Sequence, residues 1–124
     1  MVVCSQDGYD EISPIVPTEV YQIDEKGNEK QYVIKPENFG ISGCDENELI
    51  GGNGKENAQL AMDVLEGKGK NTIKQAVALN TAAVLYLSGK TRTLKDGYAM
   101  AISSIESGKA LEKLKEIQKI SSEL

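Results

Sequence analysis

Histidine is missing from this sequence altogether, and so is tryptophan. The first absence removes the side chain that most often serves as general base or metal ligand near neutral pH, and with it any Ser-His arrangement. Chemistry here has to run on carboxylates, lysines or a bound metal, which suits a reaction that depends on positioning and charge neutralisation. Aromatics are scarce, 5% of 124 residues with a single Phe, so the core must be built from Ala, Val, Leu and Ile. A core of that kind suits closely packed helices. Only two cysteines occur, Cys4 and Cys44, far apart and in no metal-ligand spacing. Nothing else resembles a secreted disulfide scaffold, so reduced, inert thiols are expected, Cys4 in the core and Cys44 in a loop. Positive charge is short as well. Fourteen Lys and Arg against 19 Asp and Glu leave a net charge of -5, which argues against a nucleic-acid surface. No run approaches the roughly 20 apolar residues of a membrane-spanning helix. No basic stretch precedes the apolar start, as a signal peptide would require. One cytoplasmic domain, with no membrane or nucleic-acid partner, is the expectation.

The most informative segment present is Asp7-Gly8-Tyr9-Asp10-Glu11. It follows a short apolar run, Met1-Val2-Val3-Cys4, that reads as a buried strand. Open α/β sheets bind ligands just beyond the carboxyl ends of their strands. Mg²⁺ prefers carboxylate oxygens and commonly needs only one or two of them beside substrate phosphates. The segment therefore reads as a hard-cation site serving a phosphorylated substrate; the competing reading is an ordinary solvated turn.

Pro14 and Pro17 make residues 7–17 a loop. Thr18 to Ile23 and Glu29 to Ile34 alternate around turn residues 24–28 and predict a β-hairpin, with one face half buried. Phe39 is expected to anchor the following loop on the core. Asn53 and Glu56 fit a capping box opening a first helix, which Gly67 and Gly69 stop. Thr72 and Gln75 suggest a second box. The helix behind them, residues 76–87, is apolar on nearly every side and so is expected to be buried on every side. Thr93 caps a third helix, whose apolar stripe of Ile102, Ile105, Leu111, Leu114 and Ile117 continues towards the C-terminus. Gly51-Gly52-Asn53-Gly54 reads as a turn and helix cap rather than a phosphate loop. Lys109, Lys113, Lys115 and Lys119, interspersed with Glu, read as a solvated face. One lone strand is too little for a doubly wound sheet, so the chain is expected to be the back part of a larger α/β domain.

Asp7-Gly8-Tyr9-Asp10-Glu11-Ile12-Ser13 resembles the metal-binding motif of the anthranilate phosphoribosyltransferase family. Further matches follow in that family's order: Lys35-Pro36-Glu37-Asn38-Phe39-Gly40, Glu48-Leu49-Ile50-Gly51-Gly52-Asn53 with Glu56-Asn57-Ala58, Leu79-Asn80-Thr81-Ala82-Ala83 with Tyr86 and Gly89-Lys90, and Gly97 with Ser107-Gly108-Lys109-Ala110-Leu111. The resemblance implies the C-terminal part of a phosphoribosyltransferase and nucleoside phosphorylase-like α/β domain, one strand plus a β-hairpin packed with three helices. It implies transfer of a phosphoribosyl group from phosphoribosyl pyrophosphate to anthranilate in tryptophan biosynthesis, and a homo-oligomer. It assigns Mg²⁺ to Asp10 and Glu11, with Asp7 a weaker candidate. It also implies that the N-terminal helical domain, the phosphate-binding loop and the acceptor-binding residues have no counterpart here, and that a missing N-terminal portion would be the partner. Thr81 departs from the family's usual Ala inside what reads as a buried helix. Two alternatives stand beside this reading: a non-enzymatic helical interaction module, and a superfamily relative with another acceptor.

Overall fold

Three strands, four α-helices and two short 3-10 turns (Pro36–Phe39 and Glu46–Leu49) make up the regular structure of residues 1–123, the part of the chain that the computed structural model describes. Strand β1 (Val2–Ser5) pairs antiparallel with β2 (Thr18–Ile23), and β2 pairs antiparallel with β3 (Glu29–Ile34). The expected strand and hairpin are thus one continuous sheet. Its register sets Val3 opposite Val20 and Ser5 opposite Thr18, while Val20 faces Tyr32 and Thr18 faces Ile34. Because side chains alternate across a strand, these residues share one face. On it Val20 and Ile34 join Ile12, Ile41 and Leu79 in the core.

The opposite face is open, as expected for half of the hairpin: Tyr21 and Val33 are exposed there. The reading of β1 as a buried strand is corrected. Val2 is 71% exposed and Cys4 is exposed rather than in the core, because both point to the outer face at the sheet edge. Both thiols are free.

Helix α1 (Gly54–Leu65) carries the expected capping box. Asn53 accepts the N–H groups of Lys55 and Glu56, while the Glu56 carboxylate accepts the Asn53 N–H. Helix α2 (Asn71–Leu87) starts differently from expectation. Its cap residue is Lys70, which makes no side-chain cap. Thr72 is already inside the helix and buried, so its hydroxyl accepts from Asp45 N–H while Glu48 accepts the Thr72 N–H at 3.0 Å. A carboxylate distant in sequence, from the short 3-10 turn Glu46–Leu49, caps this helix, a contact that no local pattern encodes.

Helix α2 is also not buried on every side. Ala78, Leu79 and Ala82 are buried, but Val77, Thr81, Val84 and Leu87 face outward, Val84 at 66% exposure. Apolar composition gives no direction to a helix; the small Ala face takes the close contacts and leaves the bulkier ridge outside. Thr81, expected in the interior, lies on that outer ridge.

Helix α3 (Leu94–Glu106) is capped by Thr93, which accepts the Asp96 N–H as expected. It lies against α2, and Gly97 permits the approach: a Cβ there would sit 2.8 Å from the Ala82 carbonyl oxygen and 3.0 Å from its Cα. The obstacle is backbone, which cannot rotate aside. Gly97→Ala is therefore expected to destabilise the chain by about 1–3 kcal/mol in urea unfolding, typical of an overpacked contact; an unchanged midpoint would show that α3 can slide.

The apolar stripe expected to run on from α3 crosses a break. Gly108 adopts φ +78°, a left-handed conformation that glycine takes freely, and a separate helix α4 (Lys109–Ser122) begins after it. The α4 lysines are exposed, as expected of a solvated face. Phe39 anchors its loop as expected, with its ring edge-on to Tyr98 at a centroid distance of 5.5 Å. Among the described residues no helix is long and apolar enough to cross a membrane.

Candidate functional site

Residues 6–17 connect β1 to β2, and their hydrogen bonds fall into two groups with Asp10 and Glu11 between them. The first group closes the loop's entry. Gly8, at φ +90°, turns the chain so that its N–H reaches the Ser5 carbonyl at 3.0 Å. The Ser5 N–H bonds the Tyr9 carbonyl at 3.1 Å, and the Tyr9 N–H bonds the Ser5 hydroxyl at 3.1 Å.

Asp7 is the hub of this entry turn. Its carboxylate accepts from the Ser5 hydroxyl, and from the Ser13 hydroxyl at 2.7 Å. Ser13 in turn accepts the N–H groups of Ile15 and Val16 at 3.1 and 3.3 Å. Asp7, the weaker metal candidate, is therefore committed to holding the loop's shape.

The second group fastens the exit. Ile12 is almost fully buried in the core, and the Ser13 N–H donates to the Thr18 hydroxyl at 3.0 Å. The Ile12 backbone is held from α2. Asn80 Oδ1 accepts the Ile12 N–H at 2.9 Å, and Asn80 Nδ2 donates to the Ile12 carbonyl at 3.0 Å and to the Ala76 carbonyl at 2.9 Å. Asn80, Ser5, Ser13 and Thr18 were not singled out by site reasoning on the sequence. The available signals were an amide side chain interrupting an otherwise apolar helix and the place of Asn80 and Ser13 inside the motifs that carry the family resemblance.

Asp10 and Glu11 lie on the short span between these two fastenings, and both are exposed. Among the described residues neither takes part in an ion pair. Glu11 borders a groove of about 320 Å³ whose other walls include Tyr9, Pro14, Leu49 and Val77. Among the described residues no three His, Cys, Asp or Glu side chains converge into a metal cage. Two neighbouring oxygen donors with open approaches fit a Mg²⁺ ion that keeps its waters and takes its remaining ligands from a phosphorylated substrate. They do not fit a fully enclosed structural metal.

In the Gly51-Gly52-Asn53-Gly54 turn, by contrast, the two central backbone donors are taken up locally. The Gly52 N–H bonds Asn57 at 2.7 Å and the Asn53 N–H bonds Glu56 at 2.7 Å. It behaves as the turn and cap expected of it.

The Asp7 hub has a consequence in acid. Burial pushes its carboxyl up, but hydrogen bonds from the Ser5 and Ser13 hydroxyls and from backbone N–H groups outweigh that and hold it below the ordinary 3.8. A carboxyl depressed in the folded state stabilises fully above the unfolded value and stops doing so as pH falls through the folded one. The loop entry is thus expected to be tight above about pH 4 and to loosen below 3.8. Hydrogen exchange at the Tyr9 amide would report it, and Asp7→Asn should remove this acid dependence. An identical pH profile in the variant would remove Asp7 from that role.

The family model "Glycosyl transferase family, a/b domain" matches residues 1–111. The anthranilate phosphoribosyltransferase of Methanobrevibacter smithii is 42% identical over 112 residues, covering 90% of this chain and 33% of that protein. A solved anthranilate phosphoribosyltransferase from Saccharomyces cerevisiae in complex with 4-fluoroanthranilate superposes with a TM-score of 0.84 at 34% identity, over 98% of this chain and 35% of that one. The same yeast enzyme in complex with PRPP and Mg superposes with a TM-score of 0.79 at 30% identity, over 98% of this chain and 34% of that one. The chain spans about a third of the length of the curated relatives it matches.

Proposed function

Since the chain belongs to the glycosyl transferase family with this α/β domain, we propose that it contributes the magnesium-binding part of an anthranilate phosphoribosyltransferase. On this reading its 124 residues correspond to the C-terminal part of the catalytic α/β domain. The reaction is transfer of a phosphoribosyl group from phosphoribosyl pyrophosphate to anthranilate, in tryptophan biosynthesis in the cytoplasm. One observation carries the assignment to this chain's residues: Asp10 and Glu11 are adjacent, exposed and unpaired among the described residues, on a span fastened at both ends just past β1. The yeast relative's complex with PRPP and Mg supports the substrate and the ion.

Asp10 and Glu11 would hold Mg²⁺, which supplies charge neutralisation at the leaving pyrophosphate. The protein's own part is orientation. Ser5, Asp7 and Ser13 fix the entry of the loop, and Ile12 and Asn80 fix its exit, so the two carboxylates project from a preset backbone. Preset donors lose nothing to reorganisation when charge develops. No imidazole is needed for such a step, in keeping with a chain that has no histidine.

The remaining two thirds of the relatives have no aligned counterpart in this chain. The test is therefore co-expression with the rest of the Methanobrevibacter smithii relative, followed by an assay of transfer to anthranilate. Magnesium-dependent transfer by the pair, absent from either polypeptide alone, is the expected result. Association without transfer would overturn the enzymatic reading and favour an interaction module, whose contact surface would be the exposed Val77, Val84 and Leu87 ridge of α2.

A further inference from the structure

We propose that Asn80 is a positioning residue for the acidic pair, its side-chain amide clamping the Ile12 backbone so that Asp10 and Glu11 reach a divalent cation from one backbone conformation. The proposal rests on the metal-binding reading of that pair. The geometry is specific. An amide side chain offers two N–H donors and a carbonyl acceptor. Asn80 donates both to carbonyls, at 2.9 Å to Ala76 and 3.0 Å to Ile12, and accepts the Ile12 N–H at 2.9 Å. The bond to Ala76 lies within the helix and locks the rotamer. The other two grip the N–H and carbonyl of one residue in a loop 68 positions away.

Packing alone does not call for an amide here. The helix neighbours of Asn80 three and four positions away, Ala76, Val77, Ala83 and Val84, are apolar, and an apolar residue would extend that pattern. It would also leave the Ile12 N–H and carbonyl without their partners where the loop crosses the helix, a costly arrangement for partly buried backbone. Ile12 directly follows Glu11, so its N–H is the first fixed point beyond the pair. Partners that hold metal-ligating groups in place are commonly worth about 10- to 100-fold in metal affinity.

The probe is Mn²⁺ alone, titrated into the ¹⁵N-labelled chain and read as paramagnetic broadening of the amide signals of residues 8–12. Hydrogen exchange at the Ile12 amide is followed in parallel. Asn80→Ala, which favours the helix, and Asn80→Leu, which keeps the side chain's branching and number of heavy atoms, are each expected to weaken Mn²⁺ about 10-fold and to speed Ile12 exchange. Ala82→Gly, a helix-weakening change at a buried position packed against Gly97 of α3, should lower the melting temperature without altering Mn²⁺ affinity. Mn²⁺ affinity unchanged in both Asn80 variants would overturn the role of Asn80 and leave the metal reading standing. An equal loss of affinity in Ala82→Gly would overturn it too, by showing a general effect of stability. A native chain whose residues 8–12 do not respond to Mn²⁺ would overturn the metal reading and this proposal together.

Discussion

Replacing Asp10 by Asn and Glu11 by Gln together is expected to lower kcat/KM for transfer to anthranilate by about 100-fold in the reconstituted pair of polypeptides. That is the scale on which losing a preset electrostatic partner of the transition state acts. Each single substitution leaves one carboxylate, so its loss should be smaller and partly recovered by raising the magnesium concentration. Neither side chain is buried or in an ion pair among the described residues, so the melting temperature should hold, surface changes of this kind costing at most about 0.5 kcal/mol. That combination, activity lost at constant stability, separates a ligand from a structural residue. Undiminished activity with an unchanged magnesium requirement in the double variant would remove the pair from the reaction.

Leu79→Ala is expected to cost about 3 kcal/mol, within the range for emptying a buried leucine site. Leu79 is 1% exposed and is the α2 side chain that meets Ile12, Val20, Ile34 and Ile41 in the main cluster. It couples the central helix both to the sheet and to the residue that ends the acidic loop. A chain of this length has only some 5–15 kcal/mol of stability to lose. The expected drop in melting temperature is roughly 10 °C, readable by circular dichroism. A loss under 1 kcal/mol in urea would mean that the sheet and α2 close over the cavity, and that the cluster is not the chain's principal core.

Local signals in the sequence were legible where partners lie a few residues apart. The Asn53–Glu56 box and the Thr93 cap need only an oxygen beside the amides of the next turn, and both formed. The hairpin followed from alternation and a polar turn, and Val20 and Tyr21 fell on opposite faces. The break at Gly108 was equally local, a Ser-Gly pair able to end a helix, yet the apolar stripe running across it read as continuity. The stripe does not mark one buried face: Ile105 is buried, but no α4 residue is, and Ile117 is 55% exposed. The second capping box failed for a different reason. Thr72 was drawn into the helix by a distant partner, since Glu48 could reach its N–H from a separate turn.

The proposed site was legible in its two acidic residues and illegible in what braces them. Adjacent carboxylates after a strand can be seen in five residues, and the family resemblance named Asp10 and Glu11. That Asp7 turns inward to Ser5 and Ser13 depends on how the loop closes. That Asn80 holds Ile12 depends on α2 crossing the loop 68 residues later, and no spacing rule spans such a gap.

By itself the sequence determined the composition of the core, the local caps and turns, and the chemistry open to a chain with carboxylates and no histidine. Those properties follow from residue type and from neighbours within a turn or two. Only the tertiary structure decided which side of α2 is covered, that β1 lies at a sheet edge with Val2 and Cys4 turned outward, and which polar side chains brace the acidic loop. Direction and long-range pairing arise when elements pack, because a buried polar group must find its partner wherever the fold brings one within reach.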